Sequence, residues 1–206
     1  MITNLTRKIL PKLSSIKSEN IINMQNMPEN VLHSLIESGR KDIVHVDMNH
    51  CTAAVIKENG IQTIFTDALA GCNSVGSVIP LSTGDQLCIL SHYVPTNQTG
   101  QVAAIEKQIK TYEPWFQKGK DVQLFFNLRD DSLTSTNNKS SNPIVENVVN
   151  LFKKYFNKNT NVHLDLYQNN NRPAFFSTAN IFQFDSKNKL LKITNVGEKE
   201  YFMNLK

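Results

Sequence analysis

Thr52-Ala53-Ala54-Val55-Ile56, then Asn59-Gly60, then Ile61-Gln62-Thr63-Ile64-Phe65-Thr66 and on through Asp67-Ala68-Leu69-Ala70-Gly71-Cys72 is the stretch on which the reading of the fold turns. β-branched and apolar residues fill both runs, and Asn-Gly between them is a strong short hairpin signal. With Ile43 to Met48 ahead of it and Asn49-His50 as a turn, the stretch predicts a meander of two or three antiparallel strands. That meander would deliver Thr66 and then Cys72 at its far end.

Downstream, Ser77-Val78-Ile79-Pro80-Leu81 reads as a short edge segment, because Pro80 has no N–H for a ladder. Gln86 to Val94 reads as a strand with Cys88, Leu90, His92 and Val94 on one face. Val102, Ile105, Ile109 and Tyr112 follow helical spacing, which Pro114 ends near Glu113. Val122 to Phe126 predicts a buried strand, and residues 129 to 141 a polar loop. A second helix opens at Asn142-Pro143 and carries Ile144, Val145, Val148, Leu151, Phe152 and Tyr155. The tail predicts strands over Val162 to Tyr167, Ala174 to Phe184, Lys189 to Thr194 and Tyr201 to Leu205, with a hairpin turn at Ser186 to Lys189. Upstream, residues 1 to 25 read as a leader or peripheral arm, followed by a short amphipathic helix between Pro28 and Gly39. Residues 26 to 206 then form a single domain. The fold class is α+β, a mostly antiparallel β-sandwich core flanked by helices rather than alternating βαβ units.

Composition narrows the function classes. The chain has 206 residues, 40% of them hydrophobic and 19% charged, with a net charge of +4. No clustered basic stripe with interleaved aromatics marks a nucleic-acid surface, so no nucleic-acid partner is expected. No run reaches the roughly 18 apolar residues of a membrane span, and no secretory apolar region follows the basic residues near the N-terminus. Three cysteines, at 51, 72 and 88, do not make a disulfide framework or a C-x-x-C metal site. The histidines at 33, 45, 50, 92 and 163 lack ligand spacing, so neither a metal nor another cofactor is expected.

Charge is cleared from one region. Between Lys57 and Lys107 there is no Lys or Arg, and the acids are Glu58, Asp67, Asp85 and Glu106. Cys72 and His92 both lie there. A cysteine nucleophile needs a thiolate, while a free thiol with a pKa near ~8.5 is mostly protonated at neutral pH. With no cation near it in sequence, Cys72 would depend on His92 and on backbone N–H groups. Gly71 suits the bend before a nucleophile, and amides at Gly71 and Cys72 are candidates for an oxyanion site. A catalytic histidine also needs a third group to fix its tautomer, and Thr66 offers a hydroxyl. Each residue has an ordinary alternative: Cys72 as packing, His92 as a hydrogen-bonded core histidine, Thr66 as a strand former.

Leu69-Ala70-Gly71-Cys72, with Thr66 six positions before the cysteine and His92 followed by Tyr93-Val94-Pro95, resembles the bacterial glutamine deamidase toxins. That family includes the cytotoxic necrotizing factor catalytic domain and Burkholderia lethal factor, and chemoreceptor deamidases share its core. The family motif reads Leu-Ser-Gly-Cys, from which this chain departs at Ala70, and the resemblance spans Thr66 to Pro95. It implies Cys72 as nucleophile, His92 as base and Thr66 as its orienting group, converting a glutamine of a host protein to glutamate through a thioester. The family's targets, a Rho-type GTPase or a translation-initiation helicase, are the candidate partners. The resemblance also implies a bacterial effector made in the cytoplasm, exported and acting in a host cytosol, and a monomer is expected. A transglutaminase or cysteine protease with the same dyad, or a protein-binding module with Cys72 as packing, remain the alternatives.

Overall fold

The structure is a computed structural model that describes residues 40–67, 69, 71–129, 134–136, 139–141, 143–156, 160–167, 180–195 and 199–204. The leader, the helix expected between Pro28 and Gly39, and the strand expected over Ala174 to Ala179 lie outside the described residues.

The strands in chain order are β1 (Ile43–His45), β2 (His50–Ile56), β3 (Thr63–Thr66), β4 (Asn73–Pro80), β5 (Gln86–Tyr93), β6 (Val122–Arg129), β7 (Thr134–Thr136), β8 (Lys139–Ser141), β9 (Thr160–Tyr167), β10 (Asn180–Asp185), β11 (Leu190–Asn195) and β12 (Lys199–Asn204). Two helices, α1 (Gln98–Tyr112) and α2 (Pro143–Phe156), carry the apolar spacing read from the sequence. One five-stranded sheet has the order β1-β3-β10-β11-β12, the other β2-β5-β4-β6-β9. Apart from the parallel pairs β1–β3 and β6–β9, their ladders are antiparallel. Among the described residues the fold is mixed α and β, mostly strand, in two five-stranded sheets with two α-helices.

Alternation along the strands sorts the core into two clusters. Ile64, Val78, Cys88, Leu90, Phe125, Phe182, Leu191 and Ile193 pack between the sheets. Val75, Ile79, Leu87, Ile89, Leu124 and Phe126, on the opposite face of the second sheet, pack against Ile105 and Ile109 of α1 and Ile144, Val148 and Phe152 of α2. The second sheet is therefore the middle layer, apolar on both faces. This is why Leu87 to Leu90 of β5 and Leu124 to Phe126 of β6 are unbroken apolar runs.

Three sequence expectations are corrected. The Asn59-Gly60 turn forms, but β2 and β3 are not a hairpin: after one bridge, Ile56 to Ile61, the chain crosses to the other sheet. β3 is buried at all four residues, and it gains a ladder on each edge only between β1 and β10. The segment around Pro80 is not an edge but the end of β4, a central strand flanked by β5 and β6. Proline is accommodated because the β4–β6 ladder stops at Val78, so no partner needs its N–H. The polar stretch 129–141 holds the small hairpin β7–β8 in place of an unbroken loop. In addition, β6, α2 and β9 form a parallel crossover in a sheet whose other ladders are antiparallel.

Gly76 shows how closely the sheets approach. A Cβ built there would lie 2.3 Å from Phe182 Cζ, in a ring that is fully buried. Gly76→Ala should cost roughly 1–3 kcal/mol in urea unfolding, because the ring has no free space to enter. The Gly76→Ala, Phe182→Leu double variant should lose less stability than the sum of the two single losses.

Candidate functional site

Two rows of residues face each other at one end of the sandwich. In the middle sheet, His50, His92, Ser74, Asn127 and Asp165 are successive cross-strand partners on β2, β5, β4, β6 and β9. In the other sheet Thr66 pairs with Asn180. Thr66, Ser74, Asn127 and Asn180 are completely buried, and His92 is 3% exposed. One layer deeper the same positions are apolar, with Leu90, Gly76 and Phe125 opposite Ile64 and Phe182. The polar row borders a hydrocarbon interior, where a buried polar group without a hydrogen bond is costly, yet His92 Nε2 and Asn180 Oδ1 find no partner among the described residues.

Thr66 Oγ1 lies 2.7 Å from Val46 O and 2.7 Å from His92 Nδ1. A hydroxyl has one proton, and a backbone carbonyl can only accept. The proton therefore goes to Val46, and His92 Nδ1–H must donate to the threonine oxygen. That fixes the tautomer: Nε2 carries the lone pair. Nε2 is buried and has no hydrogen-bond partner among the described residues. His92 is held as a neutral base with its acceptor nitrogen bare.

Cys72 immediately precedes β4. Extending the pleat by one residue pair sets it on the face of Ser74, diagonal to His92 across the β4–β5 ladder. It packs against Leu69 and Val94, is 8% exposed, and its sulfur lies 3.7 Å from Met48 Sδ. Met48 is 53% exposed and sits in the turn between β1 and β2, which is tied to β5 by Asn49 N–H donating to His92 O at 2.6 Å. Asn49 makes this turn in the left-handed region, with φ +64°. Thr66, Cys72 and His92 are thus brought to one end of the sandwich, and Gly71 lies in the bend that leads into Cys72.

Burial raises the Cys72 thiol pKa above its ordinary value. Burial also pushes His92 down to about 4, against a smaller upward pull from Asp67 and Asp47; the nearby His45 adds to the fall. Burial thus pushes both groups toward their neutral forms, thiol and imidazole, and no hydrogen bond joins Cys72 Sγ to His92 Nε2 in this arrangement. The other cysteines differ: desolvation pushes Cys51 to about 12 and Cys88 further up, and Cys88 is core packing between the sheets.

Sequence reasoning missed three parts of the site. Ser74, Asn127 and Asn180 form a hydrogen-bonded row, with Nδ2 of each asparagine donating to Ser74 Oγ at 3.1 Å. His45 sits between two carboxylates, with Nε2 2.9 Å from Asp67 and Nδ1 3.2 Å from Asp47. Its pKa is raised, first by the Asp67 hydrogen bond. Met48 covers the Cys72 sulfur. Alternation carried a signal for the first: Asn180 shares a face with Phe182 and Phe184, and Ser74 with Val78. No spacing rule joins His45 to Asp67.

Among the described residues no group of three His, Cys, Asp or Glu side chains converges as metal ligands would, and no helix is long and apolar enough to cross a membrane. Neither protein-family models nor curated protein sequences give a match to this chain.

The His92 shift has a definite sign in stability. A folded value near 4 against an ordinary 6.5 gives a contribution complete above pH 6.5 and lost as pH falls through about 4. The loss is at most about 3 kcal/mol. Denaturant melts across this window should show stability falling on acidification, and His92→Gln should flatten that slope. NMR should place the His92 titration well below that of His45.

Proposed function

We propose that the chain is a protein-glutamine deamidase that uses Cys72 as nucleophile, His92 as general base and acid, and Thr66 to fix the histidine tautomer. The carrying observation is the single Thr66 proton given to Val46 O, which obliges His92 to present Nε2 unprotonated. The two-sheet sandwich with helices against one sheet supports the likeness to the deamidase toxin core, as does the Leu69-Ala70-Gly71-Cys72 motif.

The reaction follows from this protonation state. As Cys72 sulfur bonds to the side-chain carbonyl carbon of a glutamine, its proton passes to His92 Nε2 and the carbonyl electron pair moves onto oxygen. Amides at Gly71 and Cys72 are the proposed backbone donors to that oxyanion. Collapse breaks the C–N bond, and His92 returns the proton to the leaving nitrogen, releasing ammonia and leaving a thioester. Water then gives a proton to His92 and attacks. The C–S bond breaks, the thiol recovers its proton, and glutamate is formed. Because burial favours the neutral forms, the thiol is deprotonated during attack rather than stored as thiolate.

The proposed setting is an effector that acts on a host protein, with a Rho-type GTPase and a translation-initiation helicase as first candidates. Burial of Cys72 favours one rival, a protein-binding module in which the cysteine is packing. Incubating candidate proteins with the chain should add about one dalton at one glutamine, and Cys72→Ser should abolish the change; a larger adduct would indicate transamidation, and a shortened target proteolysis. Iodoacetamide labelling of Cys72 should climb with pH through pH 8 without a thiolate plateau at lower pH. His92→Ala should lower turnover roughly 10²- to 10⁴-fold. Thr66→Ser should retain more activity than Thr66→Val, which keeps the shape but removes the acceptor.

A further inference from the structure

Ser74 is the direct cross-strand partner of His92 and lies two residues after Cys72 on the same face. Its Oγ accepts from Asn127 Nδ2 on β6 and from Asn180 Nδ2 on β10, each at 3.1 Å. A serine oxygen has two lone pairs and one proton. Both lone pairs are engaged, one from the same sheet and one from across the sandwich. The remaining valence of the oxygen is its O–H, for which no acceptor is within hydrogen-bond distance among the described residues. The asparagines reach this oxygen from β6 and from the opposite sheet, while the flank of Ser74 toward β5 is occupied by His92, its direct cross-strand partner, with Cys72 two residues back along the same face.

We propose that the Ser74 hydroxyl is a side-chain donor of the oxyanion site, a catalytic residue in addition to Cys72 and His92, with Asn180, like Thr66 beside the histidine, a positioning residue that holds its rotor. The proposal rests on the deamidase reading and assigns the group that meets the carbonyl oxygen of the substrate carboxamide. During attack the S–C bond forms, the thiol proton passes to His92, and the carbonyl oxygen takes up the electron pair. Ser74 keeps its proton and donates a hydrogen bond to that oxygen. Ser74 is fully buried, and in a site that excludes water a preorganised donor toward developing charge is worth far more than in solution. This also explains why a polar hydroxyl occupies a position whose deeper neighbour on β4 is Gly76 and whose opposing layer is Phe182.

Two probes of the full chain separate the oxyanion from the thiol. Iodoacetamide alkylates Cys72 by displacement at a saturated carbon and forms no oxyanion. p-Nitrophenyl acetate acylates it through a tetrahedral oxyanion and is read as p-nitrophenolate release that Cys72→Ser abolishes. Ser74→Ala should lower the Cys72 acylation rate roughly 10²-fold, with the alkylation rate within about threefold of the unmodified chain. Ser74→Thr, which keeps the hydroxyl, should restore acylation, and Asn180→Ala should show a smaller acylation loss of the same kind. Melting curves run in parallel identify any variant that has lost its fold, in which case the Thr and Asn180 variants carry the test. Equal acylation in Ser74→Ala and the unmodified chain would overturn the proposal, as would equal loss in both probes or failure of Ser74→Thr to restore acylation. If Cys72 of the unmodified chain acylates no faster than in the denatured chain, the deamidase reading itself falls, and the Ser74 assignment with it.

Discussion

One proton on Thr66 governs the end of the sandwich where Cys72 lies. Oγ1 stands equidistant from a carbonyl that can only accept and an imidazole nitrogen that can do either. The carbonyl takes the proton, and the histidine must therefore donate. This bond also joins the two sheets, since Thr66 belongs to β3 and His92 to β5. An orphaned partner in such a buried row would cost on the order of 1–3 kcal/mol. The same interaction that holds the layers in register thus decides where the histidine lone pair points.

Around that bond the molecule is layered. Asn180 to Ser74 makes a second polar link between the sheets, parallel to Thr66–His92, and hydrocarbon takes over one pleat deeper. Gly76 allows Phe182 to close against the middle sheet directly beneath the polar row. The row is thus backed by dense packing. Low polarity there has an electrostatic consequence: both His92 and Cys72 are driven toward their neutral forms. His45 lies closer to solvent, where paired carboxylates drive it the opposite way. Two histidines at one end of the fold are therefore pushed in opposite directions, by burial in one case and by ion pairing in the other.

Much of the secondary structure was legible. The face assignment of Cys88, Leu90 and His92 follows from strict alternation, and both helices follow from apolar spacing ended by proline or opened by it. Pairing was far less legible. Asn59-Gly60 encodes a turn but not what the flanking strands bond to, and β3 found its partners in β1 and in the distant β10. Pro80 excludes only one hydrogen bond at one position, which left β4 free to be central. The hairpin within 129–141 carries no apolar alternation by which it could have been recognised.

The sequence by itself determined which residues are candidates for chemistry: a cysteine after glycine, a histidine on an apolar strand, a threonine before both, and a region without Lys or Arg. Those identities are local properties. What only the tertiary structure decided is their protonation and company. The tautomer of His92 depends on Val46 and Thr66 arriving from the opposite sheet. The orientation of the Ser74 hydroxyl depends on Asn127 and Asn180, the second more than a hundred residues away. Hydrogen-bond direction is set by the full ring of neighbours around an atom. Those neighbours are gathered by packing between sheets, which no local spacing in the chain encodes.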